Sequence, residues 1–221
     1  MTQSRSAASQ PAKGLNSASL GFAEDFVPTG EVLKRARENS VLVGAPTPSN
    51  GVCTALTFLA RVLDAKAVVE IGTGTGVTGL ALFAGMNPNG ILTSIDAEAG
   101  WQLDAKSAFT DAGIPSQRYR LIAGLPLDVA PKLRDGAYDL VFIDGDKLEY
   151  VEYIAQALRL LRHGGALVLN EALWQNMVAD SRNEDDETVI IREALQSVSD
   201  TEEFTSLLIP LGGGLLAAVK D

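Results

Sequence analysis

Residues 68–79 read Val-Val-Glu-Ile-Gly-Thr-Gly-Thr-Gly-Val-Thr-Gly, an apolar segment followed by an acidic residue and a glycine-rich stretch. This order predicts a buried strand, a tight turn and the start of a helix. Glycines let the backbone turn sharply and let a ligand approach closely, and the free N–H groups of a helix start point at whatever is bound. The stretch therefore predicts a site for a nucleotide-like cofactor.

Two cofactors fit this stretch. Residues 74–79 satisfy the Gly-x-Gly-x-x-Gly fingerprint of dinucleotide-binding folds, and Asp96 follows at the distance where an acidic residue binds ribose hydroxyls. Residues 70–76, with the pattern Glu-x-Gly-x-Gly-x-Gly, also resemble the S-adenosylmethionine (SAM) site of class I methyltransferases. The motif alone leaves NAD and SAM open.

Composition limits the class of protein. A chain of 221 residues with 46% hydrophobic residues is long enough for one α/β domain with a sizeable core. Its net charge of −10 argues against a broad nucleic-acid surface. The single cysteine, Cys53, excludes an intrachain disulfide. No segment has the roughly eighteen consecutive apolar residues of a membrane span. The N-terminal residues also lack the apolar core of a signal peptide. We expect a cytoplasmic protein without membrane association.

The order of predicted elements indicates the fold. We expect a flexible tail over residues 1–20 and one domain over 21–221, which begins with a helical extension. Helices are predicted at 24–39, 51–63, 77–85, 98–112, 150–161 and 189–198, and strands at 67–71, 91–95, 120–122, 138–143, 166–169, 204–210 and 215–219. Alternating strands and helices predict a parallel sheet, and three glycines between the last two strands predict an antiparallel hairpin. The fold class is thus α/β: a doubly wound, Rossmann-like sheet of about seven strands with helices on both faces. The hairpin favours SAM over NAD.

From about residue 30 onward the chain resembles the cation-dependent class I O-methyltransferases, a family that includes the caffeoyl-CoA and catechol enzymes and many bacterial proteins. Five segments in the same order carry the resemblance: residues 70–76, 93–96, 142–147 with Tyr150 and Tyr153, 160–165 and 209–215. The resemblance implies transfer of a methyl group from SAM to a small hydroxylated acceptor, phenolic or catechol-like. It also implies a homodimer.

The resemblance assigns cofactor contacts to several positions. The glycine-rich loop would line the methionine and ribose parts of SAM, Asp96 would bind both ribose hydroxyls, and Gly124 would lie beside the adenine. The full set of implied cofactor-binding residues is Thr47, Glu70, Gly72, Thr73, Gly74, Gly76, Thr78, Asp96, Ala97, Gly124 and Asp144.

The resemblance also implies the chemistry. Asp144 matches an aspartate that binds a divalent cation beside the transferring methyl group, and Lys147 matches a lysine proposed as general base. The other cation ligands of the family are an Asp-Asn pair, whereas this chain has Asn170-Glu171. The formal charge is the same but glutamate is longer, so a rearranged Mg²⁺ site at Asp144, Asn170 and Glu171 and a site without metal both stay open. Gly213 also stands where the family commonly has an aspartate.

The sequence alone leaves three other functions open. Some bacterial relatives methylate a hydroxylated uridine in tRNA, which the acidic composition argues against. An NAD-dependent oxidoreductase is supported only by the literal glycine fingerprint. The Asn170-Glu171 departure is also compatible with a SAM-binding protein that has lost catalysis.

Overall fold

The computed structural model describes residues 14–221, in which seven strands form one sheet. The strands are β1 (Ala67–Ile71), β2 (Ile91–Asp96), β3 (Tyr119–Ala123), β4 (Tyr138–Ile143), β5 (Leu161–Leu169), β6 (Phe204–Ile209) and β7 (Leu215–Lys220). Their order across the sheet is β3-β2-β1-β4-β5-β7-β6. The first five pair in parallel, and β7 is antiparallel to both β5 and β6. This arrangement confirms the predicted fold class, including the C-terminal hairpin.

Helices cover both faces of the sheet. They are α1 (Ser17–Glu24), α2 (Glu31–Leu42), α3 (Asn50–Val62), α4 (Val77–Gly85), α5 (Ala99–Asp111), α6 (Pro126–Val129), α7 (Tyr150–Leu160) and α8 (Asp186–Asp200). Side chains alternate between the faces along each strand: Val69 and Ile71 of β1 belong to a core with α7 and α8, whereas Val68 belongs to a core with α3, α4 and α5. Both faces are buried, as expected for parallel strands with near-continuous apolar sequences.

The strand order reverses between β1 and β4. In sheets of this kind, ligands bind at the point of reversal. β2 and β3 extend the sheet to one side of β1, and β4 and β5 extend it to the other. The diverging loops leave a crevice beyond the carboxyl ends of the strands. Gly72 follows β1 at this point with φ +95°, and a Cβ there would lie 2.3 Å from the backbone oxygen of Asp144 after β4. Glycine therefore lets the two strand ends meet.

The N-terminal prediction needs correction. Residues 1–13 of the predicted tail lie outside the described residues, but Ser17 already begins α1, so the tail boundary at residue 20 is wrong. The single helix predicted at 24–39 is also wrong, because α1 ends at Glu24 and α2 begins at Glu31. Pro28 interrupts helical hydrogen bonding between them. The Asn50 side chain of α3 donates to the carbonyl oxygens of Glu24 and Val27 and so holds the break in place.

Other differences are confined to element ends and one short helix. β5 begins at Leu161 instead of residue 166, and Gly164 within it has φ +71°. α8 begins at Asp186 rather than residue 189, with two acidic residues in its first turn, where the helix dipole favours them. The four-residue helix α6 was not predicted. None of the helices within residues 14–221 is both long and apolar enough to cross a membrane.

Candidate active site

A cleft of about 270 Å³, called here the cofactor cleft, opens at the carboxyl ends of β1, β2 and β4. Eight of the residues predicted from sequence line it: Gly72, Thr73, Gly74, Thr78, Asp96, Ala97, Asp144 and Lys147. Its other walls come from loops and helix starts, with Pro46, Pro48, Trp101, Leu125, Pro126 and Tyr153 among them. The residues predicted at strand ends thus lie around one cavity, and the proline walls were not predicted.

The glycine-rich loop divides its glycines between the cleft and the core. Gly72, Gly74 and Gly76 all have positive φ, at +95°, +48° and +87°. A Cβ on Gly74 would have no neighbour closer than 3.9 Å, so the backbone there is open to a ligand. Gly76, by contrast, starts α4, and a Cβ there would lie 3.0 Å from atoms of Ala105 and Phe109. Gly76 thus lies behind the cleft and lets α4 pack against α5.

Asp96 connects the end of β2 to the loop. One carboxylate oxygen accepts the N–H of Gly74 and the other accepts the N–H of Glu98, each at 2.8 Å. Each oxygen of an ionised carboxylate has a second lone pair, so both can still accept from a ligand hydroxyl. The side chain lines the cofactor cleft together with Ala97. A ribose diol is the group that such a carboxylate is suited to bind.

Glu70 is fully buried behind the glycine loop and does not line the cleft. Its two carboxylate oxygens accept the hydroxyl groups of Thr78 and Ser94, each at 2.5 Å. The Ser94 hydroxyl also pairs with that of Thr73 at 2.6 Å, and the Gln102 amide donates to Thr73. Burial raises the pKa of Glu70 to about 7, despite the hydrogen bonds from Ser94 and Thr78 that lower it. Glu70 therefore binds the cleft-lining Thr78 directly and is linked to the cleft-lining Thr73 through Ser94, rather than facing the cleft.

Asp144 and Lys147 form an ion pair on the cleft wall. Lys147 Nζ donates to Asp144 Oδ1 at 3.2 Å and to the carbonyl oxygen of Gly145 at 3.1 Å. The exposed fractions of the two side chains are only 15% for Lys147 and 9% for Asp144. The ammonium group also lies 5.3 Å from the ring centroid of Tyr150 and 5.8 Å from that of Trp174. The Lys147 amine thus has a fixed carboxylate partner, and both groups lie on the wall of the cleft.

The second cavity, called here the acceptor cavity, adjoins the first. It has a volume of about 400 Å³ and shares Pro46, Pro48 and residues 144–147 with the cofactor cleft. Its remaining walls are Thr47, Asn170, Glu171, Trp174 and Glu187. Thr47, predicted as a cofactor contact, thus lies on this cavity. Gly124 borders neither cavity: its N–H donates to the Asp96 carbonyl oxygen, and the following Leu125 and Pro126 line the cofactor cleft.

The predicted metal ligands come together only in part. Asn170 Nδ2 donates to Asp144 Oδ2 at 3.0 Å, and Asn170 Oδ1 is the one buried side-chain oxygen or nitrogen within residues 14–221 that has no hydrogen-bond partner. Glu171 is half-buried, and burial followed by the nearby Asp144 charge raises its pKa. No group of three or more His, Cys, Asp or Glu residues arranged to hold a metal occurs in the described part of the chain.

Glu171 and Gly213, two positions at which the sequence differs from the family pattern, are complementary in size. A Cβ on Gly213 would lie 2.1 Å from Oε2 of Glu171. The longer glutamate therefore occupies space that any side chain at residue 213 would need. Backbone hydrogen bonds from Ala172 to Gly214 and from Leu173 to Gly213 hold the two segments together.

Comparisons with known proteins assign the family. Residues 31–221 match the profile of a family described as O-methyltransferase. A protein of Mycobacterium sp. (strain KMS), provisionally named an O-methyltransferase, is 44% identical over 202 residues, 91% of this chain and 92% of its own. A crystal structure from Corynebacterium glutamicum has a TM-score of 0.84 at 33% identity, over 90% of this chain and 94% of that one. The O-methyltransferase TomG of Streptomyces achromogenes, involved in tomaymycin synthesis and solved with SAM, has a TM-score of 0.82 at 26% identity, over 93% and 96% of the two chains. The chain therefore belongs to the O-methyltransferase family, as the resemblance in its sequence predicts.

Proposed function

We propose that this enzyme transfers the methyl group of SAM to a hydroxyl group of a small phenolic or catechol-like acceptor. The observation that carries the proposal is the position of Asp144 and Lys147 on the wall shared by two adjoining cavities. In this proposal the cofactor cleft takes SAM and the adjoining cavity takes its acceptor. A group on the shared wall faces both the transferring methyl and the oxygen that receives it.

SAM fits the cofactor cleft by its chemistry. Its methionine part would follow the open backbone at Gly72 and Gly74, and its ribose diol would meet the Asp96 carboxylate. Ala97, Trp101 and Pro126 supply apolar surface for the adenine beyond the ribose. The similar TomG was solved with SAM, which supports SAM as the cofactor of this chain. Membership of the O-methyltransferase family leaves the NAD-dependent oxidoreductase without support.

Lys147 is our proposed catalytic base. A new O–C bond forms between the acceptor hydroxyl and the methyl group as the C–S bond of SAM breaks, and S-adenosylhomocysteine (SAH) leaves. In this proposal Lys147 first releases its ammonium proton to solvent, and the neutral Nζ then takes the hydroxyl proton and returns to the ammonium form of the ion pair. Asp144 and the Gly145 carbonyl then hold that ammonium in place through the hydrogen bonds already described. Fixing the two reacting atoms in line supplies much of the remaining rate enhancement.

A divalent cation such as Mg²⁺ is part of the proposal. Two carboxylates and an amide oxygen are the hard donors that such a cation prefers, and Asn170 Oδ1 is a buried acceptor without a partner. We therefore assign Asp144, Asn170 and Glu171 as the residues that would hold it. When bound, the cation would stabilise the ionised acceptor oxygen.

A small acceptor is favoured over tRNA by the charge of the cavity. Four carboxyl groups, those of Asp144, Asp146, Glu171 and Glu187, line it against the single ammonium of Lys147. Such a surface repels phosphate groups, and RNA binding depends on Lys and Arg side chains that contact them.

The test is mass-spectrometric detection of the O-methylated product from SAM and 3,4-dihydroxybenzyl alcohol. We expect Lys147→Met to lower the rate by about a hundredfold or more while SAH still binds, and the matched control Lys66→Met, at an exposed lysine, to keep the wild-type rate. Full activity of Lys147→Met would refute the base. Product formation that resists EDTA would refute the cation. SAH binding without turnover on a range of phenols and catechols would favour a SAM-binding protein that has lost catalysis.

A homodimer is the proposed assembly. Large apolar side chains are exposed on α1, on the segment that follows it and on α3, including Phe22 and Phe26 at 71% each and Phe58 at 64%. Apolar surface of this kind supports burial against a second copy. Light scattering after size-exclusion chromatography should give twice the mass of one chain, and the mass of a single chain would contradict the assembly.

A further inference from the structure

We propose that Glu24, the last residue of α1, is a positioning residue for the acceptor cavity. Its carboxylate joins the start of α3 to the hairpin between β6 and β7, and that hairpin holds Glu171 and Trp174 on the cavity wall. Glu24 itself lines neither cavity of the site. The inference rests on the proposed function, which assigns this cavity to the methyl acceptor.

The two oxygens of the Glu24 carboxylate bind two separate parts of the backbone. Oε2 accepts the N–H of Gly51 at 2.7 Å, and Oε1 accepts the N–H of Gly212 at 2.5 Å. Gly51 lies in the first turn of α3, where the helix dipole favours a carboxylate. None of the ion pairs found within residues 14–221 includes Glu24. The carboxylate therefore bridges the α3 start and the hairpin through two charge-assisted hydrogen bonds.

The surroundings of this bridge leave no room for larger residues. A Cβ on Gly51 would have the Glu24 carboxyl group as its nearest neighbour, with Oε2 at 2.5 Å. Gly212 has φ +55°, and a Cβ there would lie 2.9 Å from Oγ of Ser49, the residue that caps α3. The main chain of Glu24 is fixed as well, because Asn50 Nδ2 donates to its carbonyl oxygen at 2.9 Å. Glycine at residues 51 and 212 thus allows the close approach on which the bridge depends.

The hairpin carries this constraint to the wall of the acceptor cavity. The N–H groups of Ala172 and Leu173 donate to the carbonyl oxygens of Gly214 and Gly213, at 2.9 and 2.8 Å. A Cβ on Gly214 would lie 2.5 Å from Cγ of Leu173, so the two segments are in close contact. The residues on either side of this hydrogen-bonded pair line the acceptor cavity: Glu171 and Trp174.

The wall segment depends on support from outside itself. Glu171, Trp174, Gln175 and Asn176 all have positive φ, between +38° and +65°. Residues other than glycine rarely adopt this conformation, and they keep it only where the surrounding structure holds it. The hydrogen bonds to the hairpin are such a support. Loosening the hairpin should therefore move Glu171 and Trp174.

The effect should be confined to one of the two cavities. Glu171 and Trp174 line the acceptor cavity and not the cofactor cleft. Loss of the Glu24 bridge should therefore weaken binding of the acceptor while binding of the cofactor is kept. A general loss of stability would not separate the two ligands in this way.

The first experiment breaks the bridge from each side. We expect Glu24→Ala and Gly51→Ala to raise the KM for 3,4-dihydroxybenzyl alcohol about tenfold, with SAH affinity by calorimetry within about twofold of the wild type. Gly51→Ala keeps the carboxylate but displaces it, and alanine favours the helix, so this variant separates loss of the contact from loss of stability. Glu31→Ala, at an exposed position in the first turn of α2, is the control and should keep the wild-type values. A wild-type acceptor KM in either variant, or an equal loss of SAH affinity, would overturn the proposal.

Hydrogen exchange of the SAH complex, measured by mass spectrometry, separates this inference from the proposed function. In Glu24→Ala the amides of residues 171–174 and 211–214 should exchange severalfold faster, whereas those of the glycine-rich loop should exchange at the wild-type rate. If no catechol is methylated, the proposed acceptor class fails, yet the exchange rates still decide whether Glu24 holds the cavity wall. Faster exchange at residues 211–214 with no change at residues 171–174 would refute the coupling.

Discussion

Ionisation of the buried Glu70 should make the stability of the fold depend on pH. Burial raises its pKa from 4.5 to about 7, so the folded protein holds a proton that the unfolded chain releases between these values. Stability from this proton is fully present below pH 4.5 and is lost as the pH rises to about 7. At about 1.4 kcal/mol for each pH unit, the free energy of unfolding should fall by about 3 kcal/mol over this range.

Urea denaturation of the wild type and Glu70→Gln at about pH 5 and about pH 8 measures this effect. Glu70→Gln has no carboxyl group to ionise and should lack the fall of about 3 kcal/mol. All other groups titrate in both proteins, so the difference between the two pH dependences isolates Glu70. Glu193→Gln, at an exposed position of α8, is the matched control and should follow the wild type. Parallel pH dependence in the wild type and Glu70→Gln would refute the reasoning.

Three further substitutions test the site. Asp96→Ala removes the carboxylate that accepts the Gly74 N–H and that we propose to bind the ribose, so we expect SAH affinity by calorimetry to fall by about tenfold to a hundredfold. Unchanged affinity would contradict the proposed role of Asp96. Arg192→Met leaves four backbone carbonyls of residues 177–183 without their donor. Limited proteolysis of this loop should therefore be faster, and the KM for the acceptor should be severalfold higher. An unaltered cleavage pattern would show that Arg192 does not hold the loop. Gly213→Ala should displace the Glu171 side chain while keeping the fold, because the new Cβ would overlap its carboxyl group; a crystal structure with Glu171 unmoved would disprove this.

The strands were predicted more accurately than the N-terminal helices, for physical reasons. β1 and β4 match the predicted bounds because their apolar runs end at residues that cannot continue a buried strand. The break between α1 and α2 depends on hydrogen bonds from Asn50 to residues more than twenty positions earlier. Such a tertiary contact leaves no periodic signal in the local sequence.

In the site, too, the positions of strand-end residues follow from the sequence pattern, whereas those of loop and helix-start residues do not. Asp96, Asp144 and Lys147 lie in one cavity because the carboxyl ends of parallel strands share one edge of the sheet. Alternation along β1 explains why Glu70 does not face the cleft: it shares a face with Val68 and points to α4, where Thr78 lies. Glu187, at the start of α8, also lines the acceptor cavity. Its position depends on the path of the preceding loop, which no motif or residue spacing in the sequence predicts.

Calorimetric titration with SAH, with and without Mg²⁺ and 3,4-dihydroxybenzyl alcohol, tests the central claim most directly. The account predicts one SAH bound per chain, no heat with NAD, and catechol binding only once SAH is present, tightened by Mg²⁺. Failure of SAH to bind, or binding of NAD in its place, would contradict the assignment of the cofactor cleft and with it the proposed methyl transfer.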